Sequence, residues 1–312
     1  MKAPHCTIIL PTYNRAAALP RAISSVMAQN EQDFELIIID DGSTDNTREW
    51  LATLDDARIR VVRSEHNQGP SAARNIGINM ATAPMLAFLD SDDIYCKERL
   101  SVPLAIFERD PDVICILSSA LKEDKHGNTT AALLPNVKLA SGAFEWAMIC
   151  DLVGVESTSI SVRTEHARKI GGFCSDLRRT EDREFLIRLS RLGAAQILPN
   201  VLWQKTWSVD GASNQWATAG RDLVSYFRER TEYLSRYRKV GQYLATKILM
   251  MHIRHHDVKS LMGDTLRFYR VGLLNGGIAQ LWRNHLQVKK YRRVAQHQPL
   301  DALTGPPTEW QS

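Results

Sequence analysis

The sequence MLAFLDSDD, residues 85–93, is the strongest indication of the fold: five apolar residues are followed by three carboxylates within four positions. Two earlier runs, residues 7–10 and 35–39, also end at polar clusters, Pro11-Thr12-Tyr13-Asn14 and Asp40-Asp41-Gly42-Ser43. Because these runs are largely apolar along their length rather than at alternate positions, they predict strands that are covered on both faces, as in parallel sheets.

Helical spacing separates these strands. Leu19, Ile23 and Val26 fall on one face of a predicted helix over residues 15–29. Strand and helix alternate in order through residue 89, so we expect an α/β fold with a mixed, mainly parallel sheet that is flanked by helices. Further helices are predicted at 44–54, 70–81 and 182–192, further strands at 58–63, 113–118, 158–162 and 201–207, and a polar loop at 122–130.

The polar clusters lie at the carboxyl ends of the predicted strands, where ligands bind in sheets of this kind. Asp90, Asp92 and Asp93 repel one another, and a cation that neutralises them makes such a loop tolerable. Mg²⁺ and Mn²⁺ prefer oxygen ligands and commonly combine one or two carboxylates with substrate phosphates. The alternative is that Ser91 or Asp92 caps a helix that begins near Lys97.

The cluster after the second strand has the same placement. A carboxylate at Asp40 or Asp41 can accept a hydrogen bond from the imide N–H of uracil or thymine. Tyr13, after the first strand, can stack on that base, and Thr12 or Asn14 can hydrogen-bond it. The alternative is a turn followed by a helix cap, which accounts for Gly42 and Ser43 but not for two adjacent aspartates.

Two later segments carry weaker signals. Residues 69–75 open a helix with small residues, which allows close approach of an anion, and Arg74 can reach a diphosphate or hold the acidic loop. The alternative for Arg74 is an ordinary surface position. Residues 178–184 begin another helix, and Asp182 can act there as a general base or merely complement the positive helix terminus.

Composition narrows the class of protein. The chain has 312 residues, of which 44% are hydrophobic and 24% charged, as in ordinary globular domains. Its five cysteines are scattered without a CxxC pair, which argues against a disulfide framework or zinc site and favours a reducing compartment. The amino terminus lacks signal-peptide features and no apolar stretch approaches about 18 residues, so we expect a cytoplasmic protein that is not integral to a membrane.

Charge is unevenly distributed. Residues 1–220 hold 23 Lys+Arg against 28 Asp+Glu, whereas residues 221–312 hold 16 against 7. The basic tail has helical spacing and clusters at residues 236–239 and 289–293. It is either a helical appendage with a solvated basic face or a peripheral contact with anionic lipid at the inner membrane face.

Together these motifs resemble the family 2 inverting glycosyltransferases, which have the GT-A fold. The resemblance covers residues 7 to about 193 and rests on five motifs in order: Leu10–Arg15, Ile39–Asp45, Asn67–Asn75, Leu89–Asp93 and Glu181-Asp182. It implies transfer of a sugar from a nucleotide diphosphate sugar, most often a UDP-sugar, to a carbohydrate or lipid-linked saccharide. The context it implies is synthesis of polysaccharide or cell-surface glycan.

The resemblance also implies residue roles. Asp92 would ligate Mn²⁺ or Mg²⁺ and Asp182 would be the catalytic base, while Asp90 would lie against the ribose or a metal-bound water. The expected donor-binding residues are Thr12, Tyr13, Asn14, Asp41, Arg74, Asp90 and Ser91. The family usually has a histidine-bearing or basic motif after the last strand, but residues 203–213 contain no histidine, so a third protein ligand to the metal is not predicted.

Three divisions are expected along the chain: a nucleotide-sugar-binding half at 1–100, an acceptor-binding half at 101–217 and a basic helical extension at 218–312.

Two other enzyme classes fit the sequence less well. Nucleotidyltransferases and dinucleotide oxidoreductases need glycine-rich loops after the first strand, and residues 11–15 contain no glycine. A non-catalytic member that binds sugar nucleotides or scaffolds a complex remains an alternative, although Asp90, Asp92 and Asp182 are intact.

Overall fold

The computed structural model describes residues 3–149, 152–177 and 180–207, together with a few isolated positions between 249 and 286. In this part of the chain, helices flank a single ten-stranded sheet. The strands are β1 Cys6–Thr12, β2 Phe34–Asp40, β3 Ile59–Arg63, β4 Met85–Phe88, β5 Ile94–Tyr95, β6 Val113–Glu123, β7 Thr129–Ala132, β8 Val137–Leu139, β9 Ile160–Arg163 and β10 Ala194–Lys205. The helices are α1 Leu19–Met27, α2 Thr47–Leu51, α3 Pro70–Met80, α4 Ser101–Arg109, α5 Ser141–Ile149, α6 Thr164–Lys169 and α7 Glu181–Leu189.

The strand order is β3-β2-β1-β4-β9-β6-β10-β5, with β7 paired to β6 and β8 paired to β10. Strands β1 to β4 run parallel to one another, and β6 runs parallel to β10. Strand β9 joins the two parallel groups because it is antiparallel to both β4 and β6. The prediction of a mixed, mainly parallel sheet is therefore confirmed.

Apolar side chains cover both faces of the sheet, as the unbroken apolar runs predicted. Ile8 and Leu10 pack into one core with α1 and α4, whereas Ile9 packs into the other with α3, α5 and α7. Helix α3 approaches β1 closely, since a Cβ added at Gly77 would lie 2.5 Å from Cγ2 of Ile9. This small residue lets the helix lie flat on the sheet.

Three details differ from the sequence-based expectations. Helix α2 spans only Thr47–Leu51. The predicted polar loop at 122–130 is a β-hairpin, because β6 continues to Glu123 and pairs with β7 after a tight turn. No helix begins at Lys97: the described chain forms the short strand β5 after the aspartates, and α4 starts only at Ser101.

The predicted helical extension at 218–312 lies outside the described residues, apart from the isolated positions. Among the helices that the structure describes, none combines the length and the apolar character needed to cross a bilayer. The four described cysteines, Cys6, Cys96, Cys115 and Cys174, are free thiols.

Candidate active site

A pocket of about 830 Å³ opens at the carboxyl edge of the sheet, where β1, β2, β4, β6 and β10 end. It brings together all the predicted site residues except Asn14. The predicted residues that line it are Thr12, Tyr13, Asp41, Arg74, Asp90, Ser91, Asp92 and Asp182, and they are joined by residues that the sequence did not single out as functional, among them Arg15, Lys122, Glu156, Glu181 and Lys205.

Tyr13 and Asp41 form one end of this pocket. The Tyr13 side chain is 41% exposed, which leaves its ring available for stacking. Asp41 is buried, and its carboxylate accepts hydrogen bonds from the backbone N–H groups of Gln68 (3.0 Å) and Gly69 (2.8 Å). Thr12 is also buried, and its hydroxyl has no hydrogen-bond partner among the described residues. A buried unsatisfied hydroxyl costs free energy, so a ligand that bonds it gains affinity.

Asn14 and Asp40, by contrast, hydrogen-bond the backbone of the loop that follows β2. The Asn14 side-chain oxygen accepts a hydrogen bond from the backbone N–H of Thr44 at 2.8 Å, and Asn14 does not line the pocket. Asp40 accepts from the backbone N–H of Ser43 at 2.9 Å and faces Arg63 at 3.8 Å. Both side chains therefore fix the loop after β2 rather than facing a ligand.

The loop that follows β4 places its three carboxylates in different surroundings. Asp90 accepts a hydrogen bond from Arg74 at 2.6 Å, and Asp92 faces Arg15 at 3.9 Å. Asp93 is buried and accepts from the hydroxyl of Thr158 at 2.6 Å. Burial, and next the charge of Asp90, raise the pKa of Asp93 well above its usual value. All three carboxylates line the pocket, but Asp90 and Asp92 are partly exposed there, whereas Asp93 is buried.

The donor atoms of this loop suit a hard divalent cation. The side chains of Asp90 and Asp92 are 34% and 26% exposed, so oxygen atoms remain accessible from the pocket. They do not form a closed cage: the described ligand atoms that converge within 4.8 Å belong to His5, Glu31 and Asp33, before β1 and β2 at the opposite edge of the sheet. An open site with only oxygen ligands fits Mg²⁺ or Mn²⁺, which would take its remaining ligands from substrate phosphates.

Arg74 links this loop to the helix that carries Asp182. Its guanidinium is 4% exposed and bonds Asp90 at one end and Glu181 at the other, the latter at 3.1 Å. The ring of Phe173 lies beneath it, 5.3 Å from the guanidinium carbon. Arg74 is therefore not a surface residue, and it ties the aspartate loop to Glu181, which lies 107 positions after Arg74 in the sequence.

Asp182 lies in the first turn of α7 and accepts a hydrogen bond from the backbone N–H of Arg183 at 2.7 Å. Burial, followed by the negative charge of Glu181, raises the pKa of Asp182 to about 7, against the opposing charges of Arg183 and Arg74. A carboxyl group with such a pKa can accept and release a proton near neutral pH. The residue before this helix turn, Thr180, has a φ of 62°, a left-handed conformation that is uncommon for threonine.

Packing fixes the distance between the aspartate loop and α7. Phe88, at the end of β4, makes edge contacts with Phe173 and Phe185, whose rings stack at 4.3 Å. Asn75 holds the same segment, because its side chain bonds both the N–H (2.7 Å) and the carbonyl (2.8 Å) of Phe173. This three-ring cluster lies below the pocket, so Asp90 and Asp182 are anchored to one rigid support.

Sequence reasoning missed the cations on the far side of the pocket. Lys122 and Lys205 end β6 and β10, and each contacts Glu156 at 2.5 Å. Lys205 is the last residue of β10 and belongs to residues 203–213, which contain no histidine. Because Lys122 was assigned to a loop and Glu156 to no element, their convergence depended on the pairing of β6 with β10.

Comparisons with known proteins place the chain in a family. A family model described as "Glycosyl transferase family 2" matches residues 7–160. An uncharacterized glycosyltransferase of Haemophilus influenzae is 31% identical over 183 residues, which are 59% of this chain and 61% of that protein. The Escherichia coli protein WfgD, named as a UDP-Glc:alpha-D-GlcNAc-diphosphoundecaprenol beta-1,3-glucosyltransferase, is 37% identical over 32% of this chain and 40% of its own length. The chain thus spans less than two thirds of each of these relatives.

Two solved structures of other glycosyltransferases have a similar fold. TarS 1–349 of S. aureus, in complex with UDP-GlcNAc, has a TM-score of 0.66 at 17% identity and covers 93% of this chain and 90% of its own. The mannosyltransferase PcManGT of Pyrobaculum calidifontis, in complex with GDP-Man and Mn²⁺, has a TM-score of 0.59 at 17% identity, covering 97% and 84%. From the matched motifs and the sheet topology together, we conclude that residues 7–160 belong to glycosyl transferase family 2 and that the chain has the GT-A fold.

Proposed function

We propose that this chain transfers a sugar from a UDP-sugar to a hydroxyl group of a saccharide or lipid-linked saccharide, with inversion at the anomeric carbon, in the synthesis of polysaccharide or cell-surface glycan. One observation carries the proposal: the same pocket holds the exposed aspartates of the loop after β4 and a carboxyl group, Asp182, whose pKa is raised to about 7.

The donor would be held by residues at the ends of β1, β2 and β4. Tyr13 stacks on the base, the unpaired Thr12 hydroxyl gains a partner, and Asp41 accepts from the imide N–H of uracil. Asp92 would hold Mn²⁺ or Mg²⁺, with Asp90 and Ser91 beside it. The bound cation supplies stabilisation of the negative charge that develops on the departing diphosphate.

Asp182 would perform the proton transfer. As a carboxylate it accepts the proton of the acceptor hydroxyl while that oxygen attacks the anomeric carbon from the face opposite the diphosphate. One displacement inverts the centre, and a diphosphate leaving group needs no general acid, in contrast to the inverting glycosidases. Arg74 and the three-ring cluster hold Asp182 in place relative to the aspartate loop.

The relatives support a nucleotide-sugar donor without fixing the sugar. The names of the E. coli relative and of the TarS complex contain UDP-glucose and UDP-GlcNAc, respectively, while the archaeal mannosyltransferase was solved with GDP-Man and Mn²⁺. Tyr13 and Asp41 suit uracil, whose imide N–H can donate to a carboxylate; guanine also offers N–H donors, so the test below compares UDP-sugars with GDP-sugars. Hexose and N-acetylhexosamine donors are both within the proposal.

The test is hydrolysis and transfer with a panel of UDP-sugars and GDP-sugars, assayed with Mn²⁺, with Mg²⁺ and with EDTA. We expect turnover of one or more UDP-sugars that requires the added cation and stops with EDTA. Undiminished turnover in EDTA would contradict the metal role. If UDP binds but no sugar donor turns over with any acceptor, the chain is a non-catalytic member that binds sugar nucleotides.

The basic tail belongs to the same proposal. Its excess of Lys and Arg after residue 221 would attract the chain to anionic lipid at the inner membrane face, near a lipid-linked acceptor. Co-sedimentation with anionic vesicles should weaken in high salt and disappear when residues beyond 285 are removed. Equal pelleting with neutral vesicles would leave the tail as a structural appendage.

A further inference from the structure

Two lysines share one glutamate on the side of the pocket away from the base-binding end. Lys122 and Lys205 are Cα partners in the register of β6 and β10, so their side chains leave the sheet edge side by side. The ammonium of Lys122 contacts Oε1 of Glu156 and that of Lys205 contacts Oε2, both at 2.5 Å. All three residues line the pocket.

The glutamate is fixed by its surroundings. The Glu156 carbonyl accepts hydrogen bonds from both the backbone N–H (2.8 Å) and the hydroxyl (2.6 Å) of Ser159. Two positions along the chain, the Thr158 hydroxyl bonds Asp93. Glu156 is thereby tied to the aspartate loop, and it holds the two ammonium groups at a defined place in the pocket.

The charges of this group do not cancel. Two ammonium groups and one carboxylate leave one net positive charge among these three residues, next to Glu123, which also lines the pocket and accepts a hydrogen bond from Gln204 at 3.3 Å. The two arginines that contact the acidic loop, Arg15 and Arg74, already face carboxylates. Each ammonium has three N–H donors, and Glu156 accounts for one on each lysine. Burial by itself lowers the pKa of Lys205. The negative charge of Glu156, followed by the charges of Asp93 and Asp90, outweighs this effect and raises the pKa above its usual value. Lys205 is therefore charged at neutral pH.

The sheet order shows which part of a substrate would meet these lysines. Tyr13 and Asp41 follow β1 and β2, and the aspartate loop follows β4. Strand β9 separates β4 from β6, so Lys122 lies about 10 Å beyond β4, at roughly 4.8 Å per strand. Lys205 lies closer to the aspartate loop, because β5, which follows that loop, pairs with β10, and the backbone N–H of Thr206 donates to Asp93 at 3.4 Å. A nucleotide sugar whose base meets Tyr13 and whose diphosphate meets Asp92 would point its sugar, and the acceptor beyond it, toward the lysines.

We propose that Lys122 and Lys205, positioned by Glu156, form a subsite for an anionic group of the substrate beyond the donor diphosphate. A phosphate or diphosphate next to the acceptor sugar has this chemistry, and so has the carboxylate of a uronic acid donor. The inference rests on the proposed function, because it takes the orientation of the donor from it. The substrate anion would take the N–H donors that Glu156 leaves unused.

Calorimetry with the full chain separates the two sources of the anion. The first arm compares octyl N-acetylglucosaminyl diphosphate with neutral octyl N-acetylglucosaminide, each titrated into chain saturated with UDP and Mg²⁺. The second arm compares UDP-glucuronic acid with UDP-glucose. We expect Lys122→Met and Lys205→Met each to lower the preference for the anionic ligand of one arm by about tenfold, the value of one charge-assisted hydrogen bond.

The control is Lys138→Met, which removes a lysine that pairs with Asp110 at 2.7 Å and does not line the pocket. It should leave both preferences unchanged. A loss confined to the first arm assigns the anion to the acceptor, and a loss confined to the second assigns it to the donor. Equal weakening of charged and neutral ligands, or no effect in either arm, would overturn the proposal.

Failure of the proposed function gives a different result. A chain that hydrolyses no UDP-sugar can still be titrated with the diphosphate ester and the neutral glycoside in the absence of UDP. If the lysine variants lose the preference there, the anionic subsite stands although the transfer reaction does not. The Glu156→Gln variant is an independent test, because the direction of its effect is predicted. The lysines lose the carboxylate that competes with the ligand, so affinity for the diphosphate ester should rise, while affinity for the neutral glycoside should not change.

Discussion

The donor end of the pocket, where we propose that the nucleotide sugar meets Tyr13, Asp41 and Asp92, is built from short contiguous motifs that follow neighbouring parallel strands, and each motif needs only its own strand to be in position. The acceptor end, where we propose that the acceptor binds, is built from side chains in four separate places: the end of β6, the segment before β9, the first turn of α7 and the end of β10. The donor end is therefore encoded locally, whereas the acceptor end exists only when distant elements pack together.

The difference has a consequence for specificity. A local motif can be kept while the rest of the domain changes, which suits the recognition of a nucleotide and its diphosphate. The acceptor end depends on β9, β6 and β10, of which only β9 pairs with a strand of the donor end, β4. Arg74 spans both ends, because it bonds Asp90 and Glu181, and the variants below separate the two ends through their different effects.

The largest effect is expected at Asp182. Asp182→Asn keeps the shape but removes the basic oxygen, so transfer should fall by about 10²–10⁴-fold while UDP affinity, measured by calorimetry, stays unchanged. Asp176→Asn, six positions earlier at an exposed site, is the matched control. If the variant also lost UDP binding, Asp182 would belong to the donor end, and the distinction between the two ends would be wrong.

Asp92→Ala should lower metal-dependent transfer by roughly 10²–10³-fold, since stabilisation of the leaving diphosphate is lost. Because the side chain is partly exposed and Arg15 lies 3.9 Å from its carboxylate, the melting temperature should hardly change. The measurement is turnover as a function of Mn²⁺ concentration, with Asp56→Ala, in a surface ion pair with Arg58, as control. A variant with normal turnover at ordinary Mn²⁺ concentration would show that another residue holds the metal.

Tyr13→Ala should weaken UDP binding by about tenfold, because base–aromatic stacking contributes about 1–3 kcal/mol. Tyr13→Phe keeps the ring and should bind UDP like the wild type. Calorimetry with UDP measures both. If the phenylalanine variant lost as much affinity as the alanine variant, the hydroxyl rather than the ring would carry the contact, and Tyr13 would not be a stacking platform.

The smallest effect concerns pH. Asp182 must be deprotonated to act as a base, so kcat/KM should rise with pH through about 7, the raised pKa of its carboxyl group. Glu181→Gln removes a charge that raises this pKa and should move the rise to lower pH. Arg74→Met removes a charge that lowers it and should move the rise to higher pH, whereas Arg74→Lys should leave it in place. Shifts in the same direction for both neutral variants would contradict the electrostatic coupling.

Much of the donor end could be predicted. The apolar runs before Thr12, Asp41 and Asp90 indicated buried strands, and parallel strands bring their carboxyl ends to one edge. The prediction for Asn14 is not supported by its position, because a short amide after a strand can bond either a ligand or the neighbouring turn. Sequence spacing does not distinguish these outcomes, and the hydrogen bond to Thr44 does.

The sequence alone predicted the alternation of strands and helices, the edge of the sheet at which the pocket lies and the aspartates that line it. These features follow from the spacing of apolar residues within short segments. Only the tertiary structure decided that Arg74 joins Asp90 to Glu181 and that Lys122 and Lys205 meet at Glu156. The raised pKa of Asp182 likewise depends on burial and on charges brought near by folding. Such pairings depend on strand order and helix packing over dozens of intervening residues, which local patterns do not encode.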